Sequence, residues 1–428
     1  MPVREPVRVV VVGQGYVGLP LAVRACEVGH DVVGFDVDGD RIARLVAGDS
    51  YVGDIPADRL AGVLATGRYR PTVDPTALAD FDVAVITVPT PLRDGAPDLS
   101  YIEDAARLLA PHLRPGACVV LESTTYPGTT EELVAPLLAA ASGLAPGADF
   151  HLGYSPERIN PGDPNATLEG TPKVVSGVDA ASLARVQAFY DDLVARTVPV
   201  SGTREAELTK LLENTFRHVN VALVNELAMF AADLGIDVWE AIDAADTKPF
   251  GFMRFEPGPG VGGHCLPIDP SYLAWKVQDE LGLPFRFVEL ANNVNDFMPE
   301  YVVRRLGAGL HERGRALEGS RVLLLGLAYK PETADARESP ALRVASLLAQ
   351  LGVSVRAADP YVVDAVHGLD PAAGVVRVVL SPDELAAADV VVVLTPHAAF
   401  DLDAVVAHAR YVFDTRCRVP AAANVEYL

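Results

Sequence analysis

Short apolar runs closed by a glycine or an acid recur along the chain. Val7–Val12 ends at Gly13, and Asp31–Phe35 ends at Asp36. Both read as buried strands, and Leu19–Val28 between them reads as an apolar-faced helix. Further strands are predicted at Phe81–Val88, Ala117–Glu122, Phe150–Tyr154 and Lys173–Ser176, with helices between them. Strands alternating with helices imply a parallel, doubly wound sheet.

The pattern returns near the C-terminus. Arg321–Gly326 (RVLLLG) mirrors Arg8–Gly13 (RVVVVG), Val353–Asp359 mirrors Val32–Asp36, and Asp389–Pro396 (DVVVVLTP) mirrors Asp82–Pro89 (DVAVITVP). Two Rossmann-like halves follow, the second without the glycine turn that a dinucleotide needs. Between them the sequence is helical from near Arg204. Glu205–Leu234 contains no Pro or Gly and spans about 45 Å at ~1.5 Å per residue. A Pro/Gly-rich stretch, Pro249–Pro270, interrupts the helices, which resume at Ser271–Glu280 and Val288–Leu310. The predicted fold is α/β, with two Rossmann-like domains (1–203 and 313–428) joined by a central helical domain (204–312). The long helix suits a dimer spine and suits a buried intrachain helix equally well.

Composition narrows the class. With 428 residues the chain has room for two or three domains, and 50% hydrophobic against 21% charged residues permits packed cores. The first apolar run, Val9–Val12, is too short for a secretory signal, and no stretch approaches the ~18 apolar residues of a membrane span. A cytoplasmic protein is expected. Four scattered cysteines (Cys26, Cys118, Cys265, Cys417) make no disulfide framework, and without CxxC or HExxH no metal site is expected. A net charge of −22 argues against nucleic acid, though a local basic pocket remains open to a small phosphate.

Gly13-Gln14-Gly15-Tyr16-Val17-Gly18 follows a strand and opens a helix, as a pyrophosphate-binding turn does. Asp36, 18 residues beyond Gly18, stands where a carboxylate receives the ribose hydroxyls. Its charge repels a 2′-phosphate and favours NAD over NADP; Arg41 nearby works the other way.

A second constellation lies in GPGVGGHCLPID, Gly258–Asp269. Backbone amides after a Gly-Gly pair lower a thiol's pKa or stabilise an oxyanion formed on it, which makes Cys265 a candidate nucleophile. Most lone cysteines are small buried thiols, and Cys26 and Cys118 keep that reading. On the long helix Lys210, Asn214 and Arg217 fall at i, i+4 and i+7, on one face. They form either a solvated stripe or a cation and an amide for a developing alkoxide.

Over essentially its whole length the chain resembles the UDP-glucose/GDP-mannose dehydrogenase family. The matching pieces are GQGYVGLPLA at 13–22, VPTP at 88–91, ESTTYPGTT at 122–130, SPER at 155–158, KLLEN at 210–214, GVGGHCLPID at 260–269 and GLAYKPETADARESP at 326–340. The resemblance implies an N-terminal NAD domain, a central helical region that forms a dimer, and a C-terminal nucleotide-sugar domain. It also implies a four-electron oxidation of a C6 alcohol with NAD. Lys210 would polarise the C6 oxygen, helped by Asn214 and Asp269 through a water. Cys265 would form a thiohemiacetal and then a thioester, and Glu157 with Thr124 would position or activate the hydrolytic water. For the cofactor the resemblance adds Pro89, Thr90, Thr124 and Arg337 to Gly13, Gly15, Tyr16, Val17, Gly18, Asp36 and Arg41. For the nucleotide sugar it gives Glu157, Arg158, Lys210, Asn214, Arg217, Gly262, Lys330 and Arg416, with Arg254 donated across the dimer.

His264 before the cysteine, Arg158 followed by INPGD, and PIDPSYLAWK after the cysteine resemble the branch acting on UDP-N-acetylglucosamine or UDP-N-acetylmannosamine. UDP- or TDP-glucose is the alternative substrate. A single-step hydroxyacid dehydrogenase would share the Rossmann domain and a Lys/Asn pair but has no use for Cys265. A non-catalytic nucleotide-sugar binder would not need the catalytic set at all.

Overall fold

The computed structural model describes residues 6–93, 95–159, 167–263, 266–362 and 374–428. The chain divides into two compact units. Met1–Glu213 with Ser271–Glu280 makes the first, and Asn214–Pro270 with Leu281–Leu428 makes the second.

The first unit is built on a parallel sheet of β1 (Arg8–Val12), β2 (Asp31–Phe35), β3 (Tyr69–Thr72), β4 (Val83–Ile86), β5 (Cys118–Leu121) and β6 (His151–Tyr154), in the order 3-2-1-4-5-6. That order is the dinucleotide-binding one, with the strand sequence reversing between β1 and β4. Val9, Val11, Val83, Val85 and Val120 are fully buried, which is why these strands read as apolar runs. The edge strand β3 is Tyr-Arg-Pro-Thr, a composition with no apolar run, and its Pro71 is tolerated because it lies at an edge. One expectation changes. Among the described residues, strand β7 (Lys173–Val175) is not part of the six-stranded sheet; it pairs with β8 (Thr197–Pro199).

Helix α1 (Gly18–Glu27) follows the glycine turn, and α2 (Ala180–Leu193) packs beneath β6. Helix α3 (Thr203–Leu234) runs 32 residues, or ~48 Å, beginning in the first unit and continuing in the second. Helix α4 (Asp269–Leu281) contributes Ser271–Glu280 to the first unit. There Tyr272 is fully buried and Trp275 meets the Tyr126 ring at 5.5 Å.

In the second unit β9 (Arg321–Leu325), β10 (Ser354–Ala358), β11 (Val376–Arg377), β12 (Val390–Val393), β13 (Val412–Asp414) and β14 (Val425–Tyr427) repeat the arrangement, in the order 11-10-9-12-13-14. Helix α5 (Arg286–Glu312) continues through Pro299, and α6 (Pro340–Gln350) is capped by the Ser339 side chain on the Ala341 N–H. Amide side chains tie α3 to α5: Asn225 donates to Asn295 at 2.9 Å, and His218 meets Asn292 at 2.7 Å. Among the described residues no helix is long and apolar enough to cross a membrane.

Candidate active site

The glycines of the first turn have different tasks. A Cβ at Gly13 would stand 2.7 Å from the Thr87 carbonyl oxygen, and one at Gly18 only 1.9 Å from that of Gly13. At Gly15 a Cβ would meet nothing within 4 Å. Two glycines therefore close the strand–helix packing, and the third keeps the mouth of the turn open, beside the exposed Tyr16 and ahead of Val17 at the start of α1. An open face at a helix N-terminus suits a pyrophosphate.

Asp36, buried at the end of β2, accepts the Gln14 N–H at 2.8 Å and the Asp38 N–H at 3.0 Å. Arg41 donates to the same carboxylate at 2.9 Å and, with Arg44, lies against the Tyr51 ring. The cation that spoke for NADP is thus bonded to the acid that speaks for NAD. In the second unit the equivalent acid, Asp359, is spent on protein groups. It accepts N–H groups from Leu327, Ala328, Tyr361 and Val362 and bonds His397 at 3.1 Å. Beyond β4, Pro89 is exposed and Thr90 buried; the Thr90 carbonyl accepts the Tyr272 hydroxyl at 2.5 Å. The residues around the first turn fit a dinucleotide.

Still within the first unit, the Lys210 ammonium donates to the main-chain carbonyl of Glu157 at 2.6 Å. The Glu157 side chain has little freedom. One oxygen accepts the Arg158 and Ile159 N–H groups, both at 2.7 Å, and the other accepts the Lys173 ammonium at 2.9 Å. Burial alone would raise its pKa, but the Lys173 charge and the hydrogen bonds with Glu122, Lys173 and the Ile159 N–H outweigh it and hold the carboxyl down at about 2. A carboxylate so bonded is a poor proton acceptor at neutral pH. Arg158 pairs with Glu213 at 2.5 Å and with the Pro172 carbonyl at 2.6 Å, and Thr124 lies partly buried in the loop after β5.

In the second unit Asn214, one turn beyond Lys210 on α3, donates to Asp269 at 2.5 Å, and both side chains are buried. His264 and Cys265 lie outside the described residues. The loop that leads to them is described up to Gly263, whose φ is +84° and whose N–H donates to the Arg337 carbonyl at 3.1 Å. A Cβ at Gly262 would strike the Glu338 carbonyl at 2.6 Å, so glycine there lets the loop pass under the 326–340 segment. The other three thiols are protonated at neutral pH. Burial pushes Cys26 and Cys118 up to about 12 and Cys417 to about 11.

Arg416 is partly buried, and its guanidinium stands 2.2 Å from where a Gly258 Cβ would be. Burial lowers it to about 10, and its Nε donates to a carbonyl, that of Leu394, at 3.2 Å. A desolvated cation bonded to a neutral oxygen is prepared for an anion. Lys330 is partly buried near the Tyr329 ring and Arg217 is exposed. Arg254 is bonded to Asp243 and Glu256, and Arg337 to Asp335.

Among the buried polar residues that went unread in the sequence are Glu122, Lys173, Glu207 and Tyr272. Glu122 and Lys173 hide in strand patterns, and Glu207 in a helix pattern three residues before Lys210. Glu207 is fully buried and accepts the Gly128 N–H at 2.6 Å and the Thr130 N–H at 2.9 Å. A charged residue inside an otherwise apolar run is the available signal, and it is a weak one.

A glycine turn and an acid that fit a dinucleotide in the first unit, with a second Rossmann-like sheet in the other, are the features of a pyridine-nucleotide oxidoreductase. Residues 7–194, 204–297 and 323–420 match, in turn, the NAD binding domain, the central domain and the UDP binding domain of the UDP-glucose/GDP-mannose dehydrogenase family. The chain belongs to that family. It is an NAD-dependent nucleotide-sugar 6-dehydrogenase. A UDP-N-acetyl-D-glucosamine 6-dehydrogenase of Pseudomonas aeruginosa is 38% identical over 86% of this chain and 87% of that protein. A solved UDP-D-ManNAc dehydrogenase from Pyrococcus horikoshii superposes with a TM-score of 0.86 at 33% identity, over 98% of each chain. A solved UDP-glucose dehydrogenase from Pyrobaculum islandicum gives 0.85 at 30% identity, covering 99% of this chain and 97% of that one.

Proposed function

We propose that the chain oxidises the C6 alcohol of a UDP-N-acetylhexosamine, UDP-N-acetylglucosamine or UDP-N-acetylmannosamine, to the uronic acid. The N-acetylhexosamine names of its relatives and the PIDPSYLAWK segment after Cys265 support that sugar. The fold carries no vote, because the UDP-glucose enzyme superposes almost as well. Residues 1–203 serve NAD, 204–312 pair two copies, and 313–428 hold the nucleotide. The need for NAD and for a free thiol suits the reducing cytoplasm.

NAD, when bound, supplies the hydride acceptor for each of the two oxidations. Gly13, Gly15, Gly18 and Asp36 hold it, with Tyr16, Val17, Arg41, Pro89, Thr90 and Thr124 around it, and Arg337 is the residue that the family resemblance adds to the cofactor contacts. Lys210 polarises the C6 oxygen, and the Asn214–Asp269 pair orients a water beside it. The Cys265 thiolate adds to the aldehyde carbon, giving a thiohemiacetal whose oxidation leaves a thioester. Water then cleaves the carbon–sulfur bond, the acid departs and the Cys265 thiol is regenerated. In sum, the alcohol and one water become carboxylate, with two NADH and three protons released. Glu157, pinned as an anion, positions that water by charge rather than taking its proton. As the family resemblance implies, Arg416 and Lys330 bind the diphosphate, and Arg158, Arg217, Gly262 and the partner's copy of Arg254 bind the rest of the nucleotide sugar.

The observation that carries the reading is the held pair on α3. Lys210 at 2.6 Å from the Glu157 carbonyl and Asn214 at 2.5 Å from Asp269 are ordered donors one turn apart. Ordered donors are what stabilises a developing alkoxide. The test is the NADH yield per sugar over a panel of UDP- and TDP-linked hexoses and N-acetylhexosamines. Two NADH per N-acetylhexosamine is the expected result. One per substrate would make the protein a single-step dehydrogenase, and a preference for glucose would move it to the other branch.

A further inference from the structure

The reaction as described leaves the buried ammonium of Lys173 without a task. Lys173 opens β7 and is 2% exposed. It bonds two carboxylates, Glu122 just after β5 and, at 2.9 Å, Glu157 just after β6. Tyr190 of α2 closes the group: its hydroxyl donates to Glu122 at 2.5 Å and its ring centroid lies 5.3 Å from the ammonium. Packing alone does not call for such a cluster, since apolar side chains of equal volume stabilise a core as well or better. What ionic groups add is a fixed geometry. The geometry here ends on Glu157, whose side chain is bonded on both oxygens and whose main-chain carbonyl accepts Lys210 at 2.6 Å.

We infer that Lys173 and Glu122 are positioning residues for the oxidation: through Glu157 they fix the loop whose main-chain carbonyl holds the Lys210 ammonium. The inference rests on the role given to Lys210 above. Glu122 also makes the support pH-dependent. The groups facing it are Lys173, Glu157 and Tyr190; burial pushes Glu122 up, while Glu157 is held down. With Glu122 protonated the cluster is neutral, and as pH rises through its titration the cluster becomes anionic beside Lys210.

The test uses the whole enzyme and three variants. Lys173→Met with Glu122→Gln removes one cation and one carboxylate, so the buried net charge is unchanged above the Glu122 titration; this variant is assayed there, with its thermal midpoint measured beside its kcat. Glu122→Gln alone keeps the Lys173–Glu157 bond. Lys173→Arg is the conservative variant. In the double variant kcat is expected to fall at least tenfold while the KM for NAD stays within twofold, with partial recovery in Lys173→Arg. Glu122→Gln alone is expected to lose the limb of the kcat–pH profile that Glu122 produces. A second readout needs no turnover: acetylation of Lys210 by acetic anhydride, followed by peptide mass spectrometry, is expected to quicken severalfold in the double variant. Unchanged kcat and unchanged Lys210 labelling in the double variant would overturn the inference, and so would a pH profile unmoved by Glu122→Gln. If the wild-type enzyme oxidised no nucleotide sugar, the proposed function would fail, while the labelling would still decide whether Lys173 positions Lys210.

Discussion

At the scale of single residues, glycines that look alike in a motif separate once each is asked what a methyl group would touch. At Gly18 the methyl lands on a carbonyl at 1.9 Å, and at Gly15 on nothing. Gly18→Ala is therefore expected to destabilise the first unit by about 2 kcal/mol or more, as forced overpacking does, read as a lowered thermal midpoint. Gly15→Ala is expected to leave that midpoint unchanged and to weaken NAD binding at least tenfold, read by titration calorimetry. Equal midpoints for the two variants would contradict this division of labour. Cys265→Ala poses the complementary question. Acid formation is expected to stop while NAD affinity stays within twofold; a parallel loss of affinity would mean that the thiol is structural.

At the scale of elements, Glu207 shows how a helix can hold a distant loop. From α3 its carboxylate accepts the N–H groups of Gly128 and Thr130 and the Thr130 hydroxyl, where a wide π-helical turn, Thr130–Val134, begins. Burial lifts its pKa to about 7, against the hydrogen bonds from Thr130 and Gly128 that lower it. With the folded value above the unfolded one, its contribution to stability is complete below about 4.5 and is lost as pH rises through 7. Glu207→Gln is expected to cost stability at pH 5, because an amide N–H₂ then faces an N–H donor. It is also expected to flatten the fall of the thermal midpoint between pH 5 and 8 by about 5 °C, taking ~2–4 °C per kcal/mol for domains of this size. A fall as steep as the wild type's would assign the pH dependence elsewhere. Elements also show what a sequence can and cannot disclose. The glycine turn, Asp36 and the Lys210–Asn214 face were legible because each depends on local spacing along one strand or helix. The edge strands β3 and β11 were not, because an exposed edge lacks the two-sided burial that writes an apolar run. The isolation of β7 from the main sheet depends on which strand it pairs with, and periodicity does not carry that. Lys173 was hidden for the same reason: its carboxylates arrive from residues 51 and 16 positions away.

At the scale of the molecule, the open question is what covers α3. In the second unit Phe216, Leu223, Leu227, Phe230 and Leu234 are all exposed, at spacings of 7, 4, 3 and 4 that keep them on one helical face. A stripe of large apolar residues this long is rarely left to water, and the proposed pairing of two copies would bury it against its own image. Charge opposes that pairing. Each chain carries a net −22, so two copies repel until salt screens them or apolar burial outweighs the repulsion. Two consequences can be measured together by sedimentation velocity. The wild type is expected to be a dimer at micromolar concentration, with an affinity that rises between 0.02 and 0.5 M salt, because screening at ~10 Å in 0.1 M salt relieves long-range repulsion while the apolar contact is untouched. Leu227→Glu with Phe230→Glu places charges in the centre of the stripe and is expected to weaken association at least a hundredfold, giving monomers under the same conditions. If the double variant sedimented with the wild type, the α3 stripe would not be the contact. If salt dissociated the wild type, the contact would be held by ion pairs and the apolar face would have another occupant.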